Sequence, residues 1–474
     1  MSFIGRKHEL DLLEEQVQKK KATMIAILGR RRIGKSTLVK HCASLMKIPC
    51  FEFIGLAPRA GLTKQDQLKH FAEKLASFMG VKSVSFDDWG QALGMLAQLP
   101  LKKRSLILLD EISWMGGKDP DFAGKLKEKW DSTLSQNNNI ILVLCGSVSS
   151  WIECNILSGT GFAGRVSLEI NLGELSISES CELLREKKKN LSIPEMAKLL
   201  AITGGVPRYL EEMNPKETAE DNIKLRCFNN SGFLFSEFDK IFSEVFGKKH
   251  KLYEKILLAL QSRPLGPSEI AKELNIPLNG DLTDCLKDLD LGGFVKNDHT
   301  WNFKGTESRL SRVRVSDSYA RFYLKYIHPR KSRIIKKPLT KKDSFDFLHW
   351  ETIFGYQFEN LIQNNAHQLI DILQIPSADI IQMGPYFQTQ TKIKKGVQID
   401  YLILCKQNIL HLVEIKSGTK ITNEIISEVK EKIKRLKTPK GFSIRCHLVH
   451  LGELSEKIIE EDFFDKIISF EKFI

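Results

Sequence analysis

Apolar residues fall into three patterns along the chain. Short unbroken runs come first: MIAIL (Met24 to Leu28), SLILL (Ser105 to Leu109) and IILVLC (Ile140 to Cys145). Runs of this length without polar alternation read as strands buried on both faces. The stretch LVKHCASLM, Leu38 to Met46, follows the first run with helical spacing. Strand and helix in alternation predict a parallel sheet of the α/β class. In the middle of the chain the rhythm becomes helix-turn-helix. KLYEKILLALQS (from Lys251) is amphipathic, GPSEIAKELNI (from Gly266) is a short second helix with Ser268 as its expected cap, and a third helix starts near Asn279. Its tail, GGFVKNDHTWNFK, reads as a wing. Near the C-terminus, QIDYLILCKQNILHLVEIKS reads as a hairpin, with strands near Ile399–Leu404 and Ile409–Lys416 and a turn at Lys406–Asn408.

Length and composition set limits on this picture. The chain has 474 residues, which at roughly 100–200 per domain predicts about three domains. A hydrophobic share of 42% and a charged share of 27% are those of an ordinary globular protein. No run of about 18 consecutive apolar residues occurs, so no membrane partner is expected. The start, MSFIGRKHELDLLEEQ, lacks the apolar core of a secretory signal. Nine cysteines are scattered without a Cys-x-x-Cys pair, which argues against a zinc ribbon or disulfide scaffold and fits the cytoplasm. A net charge of +13 favours a polyanionic partner such as nucleic acid, or equally a solvated lysine-rich surface.

The chemistry begins at the end of the first apolar run. Gly29-Arg30-Arg31-Arg32-Ile33-Gly34-Lys35-Ser36-Thr37 joins a strand to a helix, which is the setting a phosphate-binding P-loop requires. Backbone N–H groups would cradle the phosphates of ATP, Lys35 would reach the β- and γ-phosphates, and Ser36 would ligate Mg2+. The side chains of Arg30, Arg31 and Arg32 are expected to turn outward, toward a lid, a subunit or a polyanion. At the end of the second run, Asp110 would hold the Mg2+ and Glu111 would orient and deprotonate the attacking water. The third run ends at Ser147, which would sense the γ-phosphate or simply close a strand-to-loop turn. Arg165 is either a charge stabiliser, in cis or across the boundary of a homo-oligomer, or a solvated surface residue.

FIGRKHEL (Phe3 to Leu10), the P-loop, LILLDE, LCGS and TGGVPRYL (Thr203 to Leu210) together resemble the ATPases of the AAA+/STAND group. More narrowly, they resemble a prokaryotic ATPase family that carries a C-terminal domain of unknown function. The resemblance implies that Gly5 and Arg6 flank the base and that Pro207 lies in a helical lid near the nucleotide. On residues alone, the Gly-Gly-x-Pro break would let two stretches of backbone approach closely, or would end a helix. The helix starting near Asn279 carries Asp281, Asp284, Asp288 and Asp290 against Lys287, so reading bases with it is disfavoured. Tyr319, Phe322, Tyr323 and Tyr326 are expected to pack a core. The segment PRKSRIIKKPLTKK that follows has seven basic residues and reads as a linker, or as a strip along a DNA backbone.

In the C-terminal hairpin, Glu414 and Lys416 stand two apart on one strand and share a face, with Asp400 opening the other strand. A metal with a phosphodiester would compensate these charges, Asp400 and Glu414 binding Mg2+ and Lys416 steadying the attacking water. The arrangement resembles the PD-(D/E)xK nucleases, with Ile399 where that superfamily usually has proline. The resemblance implies Mg2+-dependent cleavage and an additional acid from the preceding helix, for which Glu359 is the candidate beside a plain solvated reading.

The expected fold is therefore α/β. It comprises a P-loop NTPase core over residues 1–172, a helical lid over 173–245 and a winged-helix domain over 246–328. A basic linker over 329–345 then leads to a restriction-endonuclease-like α/β domain over 346–474. The expected cofactors are ATP and Mg2+, and the expected partner is nucleic acid, DNA before RNA. The alternative is a signalling or scaffold ATPase whose last domain only binds nucleic acid or protein.

Overall fold

The three unbroken apolar runs become neighbouring strands in the computed structural model. It describes residues 3–59, 61–147, 150–157, 161–187, 191–246, 250–344, 350–390, 395–436 and 438–474. The first sheet contains β1 (Thr23–Gly29), β2 (Cys50–Ile54), β3 (Ser105–Asp110), β4 (Ile140–Ser147) and β5 (Val166–Asn171). Its order is β2-β3-β4-β1-β5, and every pairing is parallel. Residues along β1 face two cores in turn. Met24 and Leu28 meet Phe53, Phe71 and Trp89, while Ile25 and Ile27 meet Leu38, Val39 and Ile141. Both faces are covered, and for that reason the run has no polar alternation. The edge strands β2 and β5 are mostly partly exposed or exposed, with β5 alternating, and carry a weaker pattern. β4 lies between β1 and β3, its register setting Ser147 beside Gly29 and Leu144 beside Leu109. Three strand ends that carry candidate chemistry thus share one edge of the sheet.

The chain divides into two compact units: residues 1–174 with 240–250 and 291–293, and residues 175–239, 251–290 and 294–474. In the second unit, the glycine before Pro207 explains its own presence. A Cβ on Gly205 would lie 2.0 Å from the Leu175 carbonyl oxygen, and the Leu175 N–H donates to the Gly205 carbonyl at 2.8 Å.

Helices His250–Leu260, Pro267–Leu274 and Gly280–Leu291 precede an antiparallel hairpin of β6 (Val295–Trp301) and β7 (Glu307–Val315). Ser268 is not the cap of its helix. Gly266 holds that position, Pro267 opens the first turn, and the Glu269 carboxylate accepts from the Gly266 N–H at 2.7 Å. Proline at the first helical position moves the start two residues ahead of the serine. On the third helix, Asp288 accepts from the Tyr253 hydroxyl at 2.6 Å. Tyr319, Phe322 and Tyr323 are buried, and Tyr319 accepts from the Phe238 N–H. The basic segment is helical over Lys331–Lys336, and two of its cations pair with acids, Lys331 with Asp239 and Lys341 with Glu217.

The last sheet contains β8 (Ile380–Gln388), β9 (Val397–Cys405), β10 (Ile409–Ile421), β11 (Ser443–Leu454) and β12 (Lys466–Ser469), in the order β12-β11-β10-β9-β8. β8, β9 and β10 run antiparallel, and helix Glu424–Leu436 carries the chain from β10 to parallel β11. The β9–β10 hairpin turns at Lys406–Asn408, with Gln407 and Asn408 at positive φ. Helix Trp350–Asn364 is fastened to the segment after β7. Gln357 donates to the Ser318 carbonyl at 2.8 Å, Asn360 to the Ser316 carbonyl at 2.7 Å, and Arg314 bonds Asp298, Asn360 and Asn364. Trp301 at the end of β6 packs edge-on against Tyr386 of β8. Among the described residues, no helix is long and apolar enough to cross a membrane.

Candidate functional site

β1 delivers the chain to Gly29, and the loop ends at Gly34, whose φ of 93° lies in the left-handed region that side chains resist. Gly34 is the N-cap of helix Lys35–Leu45, so the loop meets the positive end of a helix dipole. Ile33 is buried in the core with Ile27 and Leu38 and anchors the loop from below. Lys35 reaches back across the loop, donating to the carbonyls of Gly29 at 2.9 Å and Arg30 at 3.2 Å. The Ser36 hydroxyl donates to Asp110 at 2.5 Å, and Thr37 lies in the first turn of the same helix. Burial pushes the Asp110 carboxyl above its usual range, the Ser36 bond opposing it. A hydroxyl and a carboxylate in contact beside a phosphate loop are hard oxygen donors of the kind Mg2+ takes, with phosphate oxygens and water completing its shell.

Glu111 holds φ 51°, a strained value for a side chain of its size. Its carboxylate accepts from the Ser147 N–H at 3.3 Å and from the Ser147 hydroxyl at 3.3–3.4 Å. The structure thus brings together Lys35, Ser36, Asp110, Glu111 and Ser147. The loop arginines engage acids: Arg30 pairs with Glu174 at 3.1 Å, while Arg31 pairs with Glu244 and lies 5.0 Å from the Trp114 ring. Arg32 takes a positive φ of 70°. Arg6 is buried and donates to the Gly173 carbonyl at 2.6 Å. Arg165 is held by both oxygens of Asp131, at 2.7 and 2.8 Å, on the surface. Pro207 opens helix Pro207–Glu211 in the second unit.

Residues 3–213 match the family model of an ATPase domain predominantly from Archaea. Over this stretch the chain is similar to P-loop ATPase domains, which supports ATP binding and hydrolysis. The chain is 25% identical to an uncharacterised protein of Methanocaldococcus jannaschii over 408 residues, covering 85% of this chain and 84% of that one. An uncharacterised ATP-binding protein of the same organism is 44% identical over 46 residues, 10% of this chain and 78% of that relative. Among solved structures, the Walker-type ATPase of Pyrococcus abyssi is similar with 16% identity and a TM-score of 0.49, covering 68% of this chain and 96% of that one. The ORC2 protein of Aeropyrum pernix with ADPNP and ADP is similar with 15% identity and a TM-score of 0.42, covering 70% and 94%. The ATPase assignment rests on the sequence match and the loop geometry.

A second cluster of charge lies on the last sheet. Asp400 accepts from the Ile415 N–H at 2.9 Å, which ties β9 to β10 beside Glu414. Glu414 is 1% exposed, and Lys416 stands 3.4 Å from it. Lys416 also pairs with Glu428 at 3.0 Å. Lys432, from helix Glu424–Leu436, bonds both oxygens of Glu414 at 2.6 and 2.8 Å and stands 3.6 Å from Asp400. Burial and the Asp400 charge raise the Glu414 carboxyl above its usual range, with Lys432 opposing. Burial lowers Lys432, but Asp400 and Glu414 outweigh it and hold the ammonium charged. Glu359 accepts from Gln363 at 2.9 Å, and Gln363 also donates to the Asp400 carbonyl at 3.1 Å. Burial, with the Asp400 charge second, pushes Glu359 up to about 7.

The donor set of Asp400 and Glu414 is of the right chemistry for Mg2+, but the Lys432 ammonium already spans the two carboxylates. Among the described residues, no group of three or more His, Cys, Asp and Glu side chains is arranged to hold a metal. Sequence reasoning missed Lys432, Glu174, Glu244 and Asp131. Lys432 stands among Lys430, Lys434 and Arg435 on one helix, and nothing local distinguishes it from them.

Proposed function

We propose that this protein hydrolyses ATP with Mg2+ and couples its nucleotide state to a nuclease-like C-terminal domain acting on nucleic acid, DNA above all. The convergence of Asp400, Glu414 and Lys416 at one place on the β9–β10 hairpin carries the coupling to a second chemistry. In the ATPase, Lys35 exchanges its loop carbonyls for the β- and γ-phosphates. Ser36 and Asp110 would hold Mg2+, which would supply charge neutralisation at the phosphates. Glu111, released from Ser147, takes a proton from the attacking water. Pro207 lies in the lid, the helices from 250 to 291 with the β6–β7 hairpin act as a winged-helix module, and Arg165 serves a neighbouring subunit of a homo-oligomer. In the last domain, Asp400 and Glu414 would hold Mg2+ and Lys416 would orient the water. The protein would work in the cytoplasm.

One observation favours a second reading, a signalling or scaffold ATPase whose last domain binds without cutting. Lys432 supplies Asp400 and Glu414 with a cation of the protein's own. A cleavage assay separates the two. Wild type, Asp400→Ala, Lys416→Ala and Lys35→Ala are incubated with labelled DNA and RNA, single- and double-stranded, with Mg2+ or Mn2+, with and without ATP. Cleavage lost in the Asp400 and Lys416 variants supports the nuclease. Binding without cleavage in wild type supports the scaffold.

A further inference from the structure

A cleft of about 610 Å³ opens beside the carboxylate cluster, between β7, the ends of β8 and β9, and helix Glu424–Leu436. Its walls carry Arg312, Lys432 and Arg435 against Glu428 and Glu431. Most of these charges are already matched. Glu431 pairs with Arg435 at 2.8 Å, Glu428 with Lys416 at 3.0 Å, and Lys432 with Glu414. Arg312 is the exception. Its guanidinium lies 5.1 Å from the Phe387 ring and, among the described residues, has no hydrogen bond or ion pair. A guanidinium that faces an open cleft with no protein acceptor is available to an anion, and a phosphate offers the bidentate acceptor it fits best.

The cleft also presents amides. The Gln388 NH2 group is committed to the carbonyls of Lys395 and Arg435, which leaves its oxygen as an acceptor. Gln398 and Gln390 line the same space and have no side-chain partner among the described residues. Amide groups read the edges of unpaired bases, and guanidinium groups hold phosphates. Gln398 stands two residues before Asp400 on β9, so both lie on one face of the strand. Lys432 is a wall of the cleft and also the partner of Asp400 and Glu414.

We infer that this cleft seats one nucleotide of single-stranded nucleic acid, Arg312 binding its phosphate and Gln398 its base, next to Asp400 and Glu414. The volume lies within the range of small-ligand pockets, and a paired base in a duplex would have to leave its stack to enter. Lys432 serves either the carboxylates or the phosphate, so an arriving phosphate draws it from Glu414. The inference rests on the nucleic-acid reading of the last domain, but it does not require cleavage.

The test uses the full chain carrying Asp400→Ala, and fluorescence anisotropy with a short labelled DNA single strand, the RNA strand of the same sequence, and the DNA duplex. Arg312→Gln is expected to weaken single-strand binding about tenfold and to lower the slope of log affinity against log salt by about 0.7. Arg312→Lys keeps the charge and should retain most of the binding, which separates phosphate contact from misfolding. Duplex affinity should not depend on Arg312. An unchanged affinity and slope in Arg312→Gln, or an equal loss on duplex, overturns the inference. Arg312-dependent single-strand binding by a wild type that never cleaves upholds it and removes the nuclease. Cleavage that needs Asp400 but binding indifferent to Arg312 does the reverse.

Discussion

Two pairs of acids in this chain are tied to buried strands, and the protein keeps them in opposite ways. At the end of β3, Asp110 is held by a serine hydroxyl, and the nearby Lys35 ammonium is spent on backbone carbonyls. On β9 and β10, Asp400 and Glu414 share the ammonium of Lys432. In the first pair Asp110 has, among the described residues, no ion pair, and Lys35 acts on it only through space; burial raises the carboxyl at both sites. The second pair has its cation built in. A site short of charge has an electrostatic need for Mg2+, whereas a site that supplies its own cation must release it before a metal can enter.

Removing the built-in cation separates the two sites most strongly. Lys432→Met leaves buried Glu414 without its two hydrogen bonds, with only the Lys416 ammonium 3.4 Å away, and should cost on the order of 3 kcal/mol, read from urea unfolding of the full chain. Adding Glu414→Gln should return much of the loss. If the single variant unfolds at the wild-type midpoint, the two sites do not differ as described. Asp110→Asn, by contrast, should leave unfolding almost unmoved, because no lysine depends on that carboxylate.

Next in size is the ATPase itself. Lys35→Ala and Glu111→Gln should each lower phosphate release by about a hundredfold or more. Only Glu111→Gln should still bind a fluorescent ATP analogue, since Glu111 is tied to Ser147 and not to the phosphate loop.

Glu359 gives a smaller, pH-dependent effect. Burial and the Asp400 charge raise its carboxyl to about 7, well above the usual range of a glutamate. The folded chain therefore holds a proton that the unfolded chain has lost across that window, and stability falls as pH rises through it. Glu359→Gln should flatten this fall and stabilise the protein above pH 7 by on the order of 2 kcal/mol. Thermal melts at several pH values read the difference, and identical profiles would show that Glu359 ionises normally. The smallest effect concerns Arg165. Its surface pair with Asp131 contributes little to folding, so Arg165→Ala should leave the melting midpoint in place. If Arg165 acts across a subunit boundary, the same variant loses the rise of ATPase rate with protein concentration, and a rate flat with concentration in wild type excludes that role.

Much of the first sheet was legible in the chain because burial on both faces leaves an unbroken apolar run, as in MIAIL and IILVLC. The hairpin of β9 and β10 was legible for a related reason, a polar turn between two apolar stretches. Ser268 misled as a cap because Pro267 and Glu269 on either side set the helix start. The residues that complete each site could not be read in this way. Glu174 and Glu244 lie 144 and 213 positions from the loop arginines they pair with, and no local spacing connects them.

Sequence alone determined the α/β class of the first part, the phosphate loop with its downstream acids, and the placing of Asp400, Glu414 and Lys416 on one hairpin. These follow from local covalent order: a strand's period of two, a glycine where φ must be positive, a turn between apolar runs. Tertiary structure decided which of several lysines on helix Glu424–Leu436 meets the carboxylates, that Ser147 holds Glu111, and that Arg312 reaches the cleft beside Asp400. Those outcomes depend on how separate elements cross and on strand order, which set distances between charges that the chain keeps far apart.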